Sequence, residues 1–232
     1  MLELTCLKRI LLSLLFLFFL IKMPSAQERY QLFDLEAVQL LDSPFQHAQE
    51  LNKKYILALD ADRLLAPYLR EAGLAPKKES YSNWENTGLD GHIGGHYVTA
   101  LSLMYAATGD TAIYNRLDYV LQELKRSQDH LNTGYIGGVP GSKVLWQDVK
   151  AGKIRAGNFD LNGKWVPLYN IHKIYAGLRD AYLFAGREDA KEMLIKLSDW
   201  SLDLVSNLSD KQIQDLLISE HGGLNEVFAD VA

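Results

Sequence analysis

The sequence has 232 residues, 48% hydrophobic and 23% charged, enough for one soluble domain with a packed core. Its formal net charge is −5 without a basic run in the body of the chain, which argues against a nucleic-acid partner. The single cysteine, Cys6, lies at the extreme N-terminus, so the rest of the chain has neither a disulfide nor a thiolate site.

Lys8 and Arg9 precede an apolar run, Ile10 to Ile21, and the small residues Ser25 and Ala26 follow. This layout predicts a secretory signal peptide over residues 1–26, since the run is too short to cross a bilayer comfortably. Pro24 fits the cleavage pattern poorly, which leaves the cut itself open. Cleavage after Ala26 removes Lys8, Arg9, Lys22 and Glu3 and leaves residues 27–232 with a formal charge of −7. The expected product is exported, periplasmic or extracellular, with no stable membrane anchor after signal cleavage.

Ser43-Pro44 reads as an N-cap followed by proline at the first helical position. Phe45, Ala48, Leu51, Tyr55, Leu59 and Leu64 then recur at near-helical spacing and predict one amphipathic helix, kinked or ended by Pro67 and closed by Gly73. Tyr81 to Asp110 comes next. Its first half crowds Trp84, Glu85, Asp90, His92 and His96 among glycines, and its second half is apolar on nearly every side. That pattern predicts a flexible pocket rim leading into a buried helix from about His96 to Thr108. An amphipathic outer helix follows over about 111–128, with Ile113, Leu117, Val120, Leu121 and Leu124 on one side.

Periodicity stops between Asn132 and Pro167. Long connectors inside a compact domain are usually functional, so Tyr135, Trp146, Phe159 and Trp165 are read as surfaces for stacking on sugar rings; the alternative is that they plug the end of a helical barrel. An apolar helix over 170–185 and an amphipathic one over 188–205 then repeat the earlier pair. The offset is 77: Ala100-Leu101 falls on Gly177-Leu178, Tyr105 on Tyr182 and Gly109 on Gly186. A third unit begins near Gly222, with Asn225 and Glu226 at its start. Inner apolar helices alternating with outer amphipathic ones predict an all-α toroid or helical-repeat array. Glu226 to Ala232 enters an inner-type helix without a closing glycine or outer partner, as expected of the front part of a longer protein.

Candidate chemistry collects at the starts of the inner helices. His96, His172, Asn225 and Glu226 are predicted to ring one mouth of the toroid, with Trp84 and Glu85 on its rim. His92 and His96 are four apart, a spacing that suits two ligands on one helical face. Gly94 and Gly95 argue against helix there, so hydrogen bonding to hydroxyls or helix capping is preferred to metal binding, and no metal ligand is assigned. Glu85, Asp90, Glu220, Glu226 and Asp230 are the candidate carboxylates. No spacing selects an acid/base pair among them, and Asp230 is read as a solvated or capping group.

At these positions the chain resembles glycoside hydrolase family 127 and its relative family 146, the β-L-arabinofuranosidase type. The resemblance rests on V-Q-L-L-D-S-P-F-Q (38–46), N-K-K-Y-I-L-A-L-D-A-D-R-L-L (52–65), the whole of 81–110, W-V-P-L-Y-N-I-H-K-I-Y-A-G-L-R-D-A-Y (165–182) and E-H-G-G-L-N-E-V-F-A-D-V (220–231). It implies an incomplete (α/α)6 barrel and retaining hydrolysis of L-arabinofuranosides from plant glycans. It also implies a zinc-held cysteine nucleophile and a glutamate acid/base, which are expected beyond residue 232, with zinc bound by the complete protein and not by this chain. The catalytic residues therefore stay unassigned, and this chain alone is expected to be an inactive fragment. The sugar-pocket positions the resemblance carries over are Trp84, Glu85, His92, His96, His172, Asn225 and Glu226. The alternatives are another α/α-barrel carbohydrate enzyme, such as an unsaturated glucuronyl hydrolase or a sugar epimerase, and a non-enzymatic helical-repeat binding module.

Overall fold

The computed structural model describes residues 32–232. The predicted signal peptide over residues 1–26 lies outside them. The first helix, α1 (Pro44–Ala58), starts as its sequence dictates: the Ser43 side chain accepts from the Gln46 amide at 3.3 Å, and Pro44 occupies the first turn. The expected single helix is in fact two. Leu59 turns extended, Asp60 caps the next start by accepting from the Asp62 amide, and α2 (Ala61–Glu71) follows. Pro67 neither kinks nor ends α1; it sits buried inside α2, against the backbone at Gly138.

The central helix α3 (His92–Thr108) starts a turn earlier than its hydrophobic pattern suggested, with Gly94 and Gly95 inside it. Glycine costs roughly 1 kcal/mol in a helix, and packing outweighs that cost here. A Cβ on Gly94 would lie 2.6 Å from the Tyr68 ring, and one on Gly95 would lie 2.3 Å from the Lys173 carbonyl carbon. Only bare backbone lets these elements approach so closely. The outer helix α4 (Thr111–Leu131) is capped by Asp110, which accepts from the Ala112 and Ile113 amides, and buries all five of the predicted apolar residues.

The connector does contain a helix, α5 (Ser142–Lys150). After it come three two-residue antiparallel strands, β1 (Ala156–Gly157), β2 (Asp160–Leu161) and β3 (Lys164–Trp165), in the order β1-β2-β3. Ala156 pairs with Leu161 and Asp160 with Trp165. Tyr135 and Trp146 are buried with Trp200 in one aromatic cluster, ring centroids 4.8–6.1 Å apart. For these two the plug, not the stacking surface, is the outcome. Phe159 and Trp165 are exposed.

The second inner helix, α6 (Pro167–Ala185), and its outer partner, α7 (Glu188–Val205), fall where the repeat put them. Gly109 and Gly186, aligned by the offset, both adopt left-handed backbone (φ 62° and 64°) and donate to the Tyr105 and Tyr182 carbonyls. That is the helix-ending geometry glycine permits. A short α8 (Asp210–Leu216) with a Ser209/Gln212 capping box precedes α9 (Leu224–Val231).

Helix α3 lies along α6, and α9 continues the inner layer on the other side of α6, while α1 packs on α3. Outside them α2 packs on α4 and α4 on α7. Among the described residues this makes four inner and three outer helices in alternation, the arrangement of an α/α toroid. Val98, Leu101, Ile174, Tyr175 and Leu178 are fully buried at the inner crossing. The apolar stripe of α1 is not buried: Phe45, Leu51 and Tyr55 are exposed. Between α1 and α3 runs a mostly apolar groove of ≈ 930 Å³ that includes Tyr55, His96 and Leu103.

Candidate functional site

The site begins in the glycine-rich turn that delivers the chain into α3. Gly91, at φ 91°, lies so close to Gly138 that a Cβ on it would meet that backbone at 2.9 Å. Asn170 of α6 ties the turn down, its amide donating to the Leu89 and Asp90 carbonyls at 3.1 and 2.8 Å. Asp90 is buried, paired with Arg70 at 2.9 Å and accepting from the Gly88 amide; burial pushes its carboxyl pKa up. Its partners make it a brace for the turn.

Glu85 is buried at the helix start. Its carboxylate accepts from the Gly91 amide at 2.9 Å and the Ile93 amide at 3.0 Å, and stands 2.7 Å from His92 Nδ1. The first turn of a helix has free N–H groups and the positive end of the dipole, which favours a carboxylate there. Glu85 therefore does not stand on the rim, as its sequence neighbours suggested, but beneath it. His92 Nδ1 also meets the Leu89 carbonyl at 2.9 Å. Both of its neighbours are acceptors, so Nδ1 carries a proton.

Trp84 covers this pair from outside. It is 61% exposed, with its ring centroid 6.0 Å from that of His92. His96, one turn further along α3, lies edge-on to His92 at 6.3 Å. Burial pushes the His96 pKa below its ordinary value, and Lys173 and His92 act in the same direction. On α6, burial pushes His172 down to about 4, helped by Lys173 and by His96. His172 meets the start of the third unit directly: its Nδ1 accepts from the Gly223 amide at 3.3 Å.

His96 and His172 do not open their helices. They are about a turn inside, because α3 and α6 start at His92 and Pro167. The 77-residue offset pairs His96 with Lys173, so the two histidines are not equivalent by the repeat. Asn225 is exposed on the first turn of α9, and among the described residues no hydrogen bond joins its side chain to the histidines. Glu226 is closer, with Oε2 3.7 Å from the position of a Cβ on Gly223. Asp230 pairs with Arg179 at 2.8 Å, a structural role. Trp84, Glu85, His92, His96 and His172 thus form one continuous series, Glu226 stands at its end and Asn225 stands apart.

The family model for the beta-L-arabinofuranosidase GH127 catalytic domain matches residues 37–232. The chain belongs to this family. No curated protein matches it. Membership makes this a β-L-arabinofuranosidase-like glycoside hydrolase domain, and the substrate of such a domain is a carbohydrate. Among the described residues no helix is long and apolar enough to cross a membrane.

The zinc that the resemblance implies does not fit the residues described. There is no cysteine in residues 32–232, and no group of three or more His, Asp or Glu side chains is placed to hold a metal. His92 commits its Nδ1 to Glu85. Sequence reading passed over Lys173, Tyr169 and the Gly222-Gly223 pair, all of which pack around His172. The signal for Lys173 was present, since it occupies the repeat position of His96.

Proposed function

We propose that this GH127 domain is exported and binds β-L-arabinofuranosides of plant glycans at the end of its inner helices. The observation that carries the reading is the series from exposed Trp84 through His92 and His96 to His172, with Glu85 locking His92 from below. An indole face offers an apolar plane with a polar edge, suited to the C–H face of a sugar ring, while imidazoles offer one donor or acceptor each to its hydroxyls. Glu85 acts through His92, holding its proton on Nδ1. Trp84 in the turn before α3, His96 on α3, His172 on α6 and Glu226 on α9 contribute the contacts, while Asn225 stands apart from them. The acidic charge of residues 27–232 and the lack of a basic run speak for a neutral sugar and against nucleic acid. No nucleophile or acid/base for the retaining step is assigned among these residues, and the role proposed for them is sugar recognition.

The test is a titration of residues 27–232 with methyl β-L-arabinofuranoside, followed by tryptophan fluorescence. Saturable change in the protein and its loss in Trp84→Ala are expected. Binding of an unsaturated glucuronide with no response to the arabinofuranoside would move the site to another class of α/α-barrel enzyme.

A further inference from the structure

His172 and Lys173 are consecutive on α6, and consecutive side chains on a helix do not face each other. Lys173 nevertheless turns back: its Nζ lies 3.1 Å from His172 Nδ1 and 4.0 Å from the centroid of the Tyr169 ring. Tyr169 stands one turn before it, and the aromatic face holds the ammonium by the attraction of its negative quadrupole. Lys173 is buried at 9% exposure, so this is a packed arrangement and not a surface excursion.

A second donor converges on the same nitrogen. The Gly223 amide points at His172 Nδ1 from 3.3 Å, at the start of α9. The backbone can come this close because two glycines lie against the ring. A Cβ on Gly222 would stand 3.0 Å from Nδ1, and one on Gly223 would stand 2.9 Å from Nε2 and Cε1. A backbone amide only donates, and so does an ammonium. Nδ1 therefore offers its lone pair, and the proton of the neutral ring sits on Nε2, which has no hydrogen-bond partner among the described residues.

We propose that Lys173 is a positioning residue which, with the Gly223 amide, locks His172 as a neutral imidazole protonated on Nε2, a fixed hydrogen-bond donor to an oxygen of the bound sugar. The sugar part rests on the arabinofuranoside reading above; the lock itself does not. The charged and titratable groups around the ring agree with it. Lys173 on α6 and His96 on α3 both disfavour a second proton on His172, and Glu220, in the segment before α9, acts on Lys173. Two carboxylates lie near the glycine pair: Glu220 accepts from the Gly222 amide at 2.8 Å, and Glu226 Oε2 stands 3.7 Å from the position of a Cβ on Gly223. His92 differs from it, with Nδ1 held by two acceptors, Glu85 and the Leu89 carbonyl. His172 thus presents a fixed donor, which suits a sugar hydroxyl, a group that can both give and take a hydrogen bond.

The experiment is long-range 1H–15N correlation on protein labelled at histidine, from pH 8 to about 5, a window across the ordinary imidazole range. His172 should show an unprotonated Nδ1 and a protonated Nε2 throughout. Lys173→Met keeps the stem that packs on Tyr169 but removes the donor; it should mix the tautomers and raise the His172 midpoint toward about 6.5, and Lys173→Arg should restore the lock. A proton on Nδ1 in the wild type, or a Lys173→Met spectrum identical to it, overturns the inference. The wild-type spectrum decides the tautomer alone, even where a variant fails to fold. If the tautomer is as expected and methyl β-L-arabinofuranoside leaves the Nε2 resonance unmoved, the lock stands and the arabinofuranoside reading fails.

Discussion

Gly95 and Gly177 meet where α3 crosses α6. A Cβ on Gly177 would lie 2.7 Å from the Gly95 carbonyl oxygen, and one on Gly95 would lie 2.3 Å from the backbone of Lys173. The crossing holds the start of α3, with Glu85 and His92, beside the stretch of α6 that carries His172.

Substituting at this crossing should therefore loosen the fold and the site together. Gly95→Ala is expected to destabilise by about 3 kcal/mol or more, the upper part of the range for overpacking, because the atoms in the way are backbone. Gly157→Ala is the control: its nearest neighbour would be 4.0 Å away, so its stability should stay within about 0.5 kcal/mol of wild type. Urea denaturation of both measures the difference; equal midpoints would contradict the crossing.

Glu85 holds two amides and one imidazole. Glu85→Ala leaves the Gly91 and Ile93 amides without their acceptor, which should cost about 1–3 kcal/mol. Glu85→Gln keeps an acceptor for the amides but weakens the hold on His92 Nδ1, so it should recover much of the stability while still binding sugar poorly. Thermal melts and the arabinofuranoside titration separate the two effects.

His172 is half-buried and donates outward, so its removal should affect binding more than folding. His172→Ala is expected to weaken methyl β-L-arabinofuranoside about tenfold, the equivalent of one hydrogen bond of about 1.4 kcal/mol, with only a small change in melting temperature. Lost folding with unchanged affinity in the folded fraction would make His172 a core residue only.

Stability should fall on mild acidification. The folded pKa of His172, about 4, lies below the value of about 6.5 expected in the unfolded chain. As pH drops below about 6.5 the unfolded state takes up a proton that the folded state refuses, and the folded state is penalised until about pH 4. His96, lowered by burial, adds to the same trend, whereas the raised carboxyl of Asp90 opposes it. The informative quantity is the difference from His172→Gln, whose melting temperature should decline less steeply between pH 7 and pH 5.

Residues 27–232 should not take up zinc tightly, because they supply no thiolate and His92 is committed to Glu85. Elemental analysis after dialysis against zinc should find less than one ion per chain, and a chelator should leave the melting temperature unchanged. Stoichiometric zinc would refute this account of the histidines.

The sequence by itself determined the features whose physics is local. Ser43-Pro44 and Asp110 supply caps within three residues of the amides they serve, and the outer helices over 111–131 and 188–205 bury the side their period marks. Gly109 and Gly186 close equivalent inner helices because only a residue free of a Cβ turns left-handed at no cost, so the alternation of layers was readable from the repeat. Tertiary structure decided the rest, wherever the partners lie far apart in the chain. Gly94 and Gly95 look like helix breakers until Tyr68 and α6 occupy the space their side chains would need. The stripe of Phe45, Leu51 and Tyr55 reads as a core face, yet the folded chain leaves it uncovered. Glu85 reads as a rim carboxylate until the helix start folds over it, and Lys173 reads as an ordinary charge until Tyr169 and the Gly222-Gly223 backbone enclose it against His172. Caps and periods depend on neighbours a turn away. The polarity of each histidine depends on which donor or acceptor the fold brings to its other nitrogen, and no local pattern encodes that.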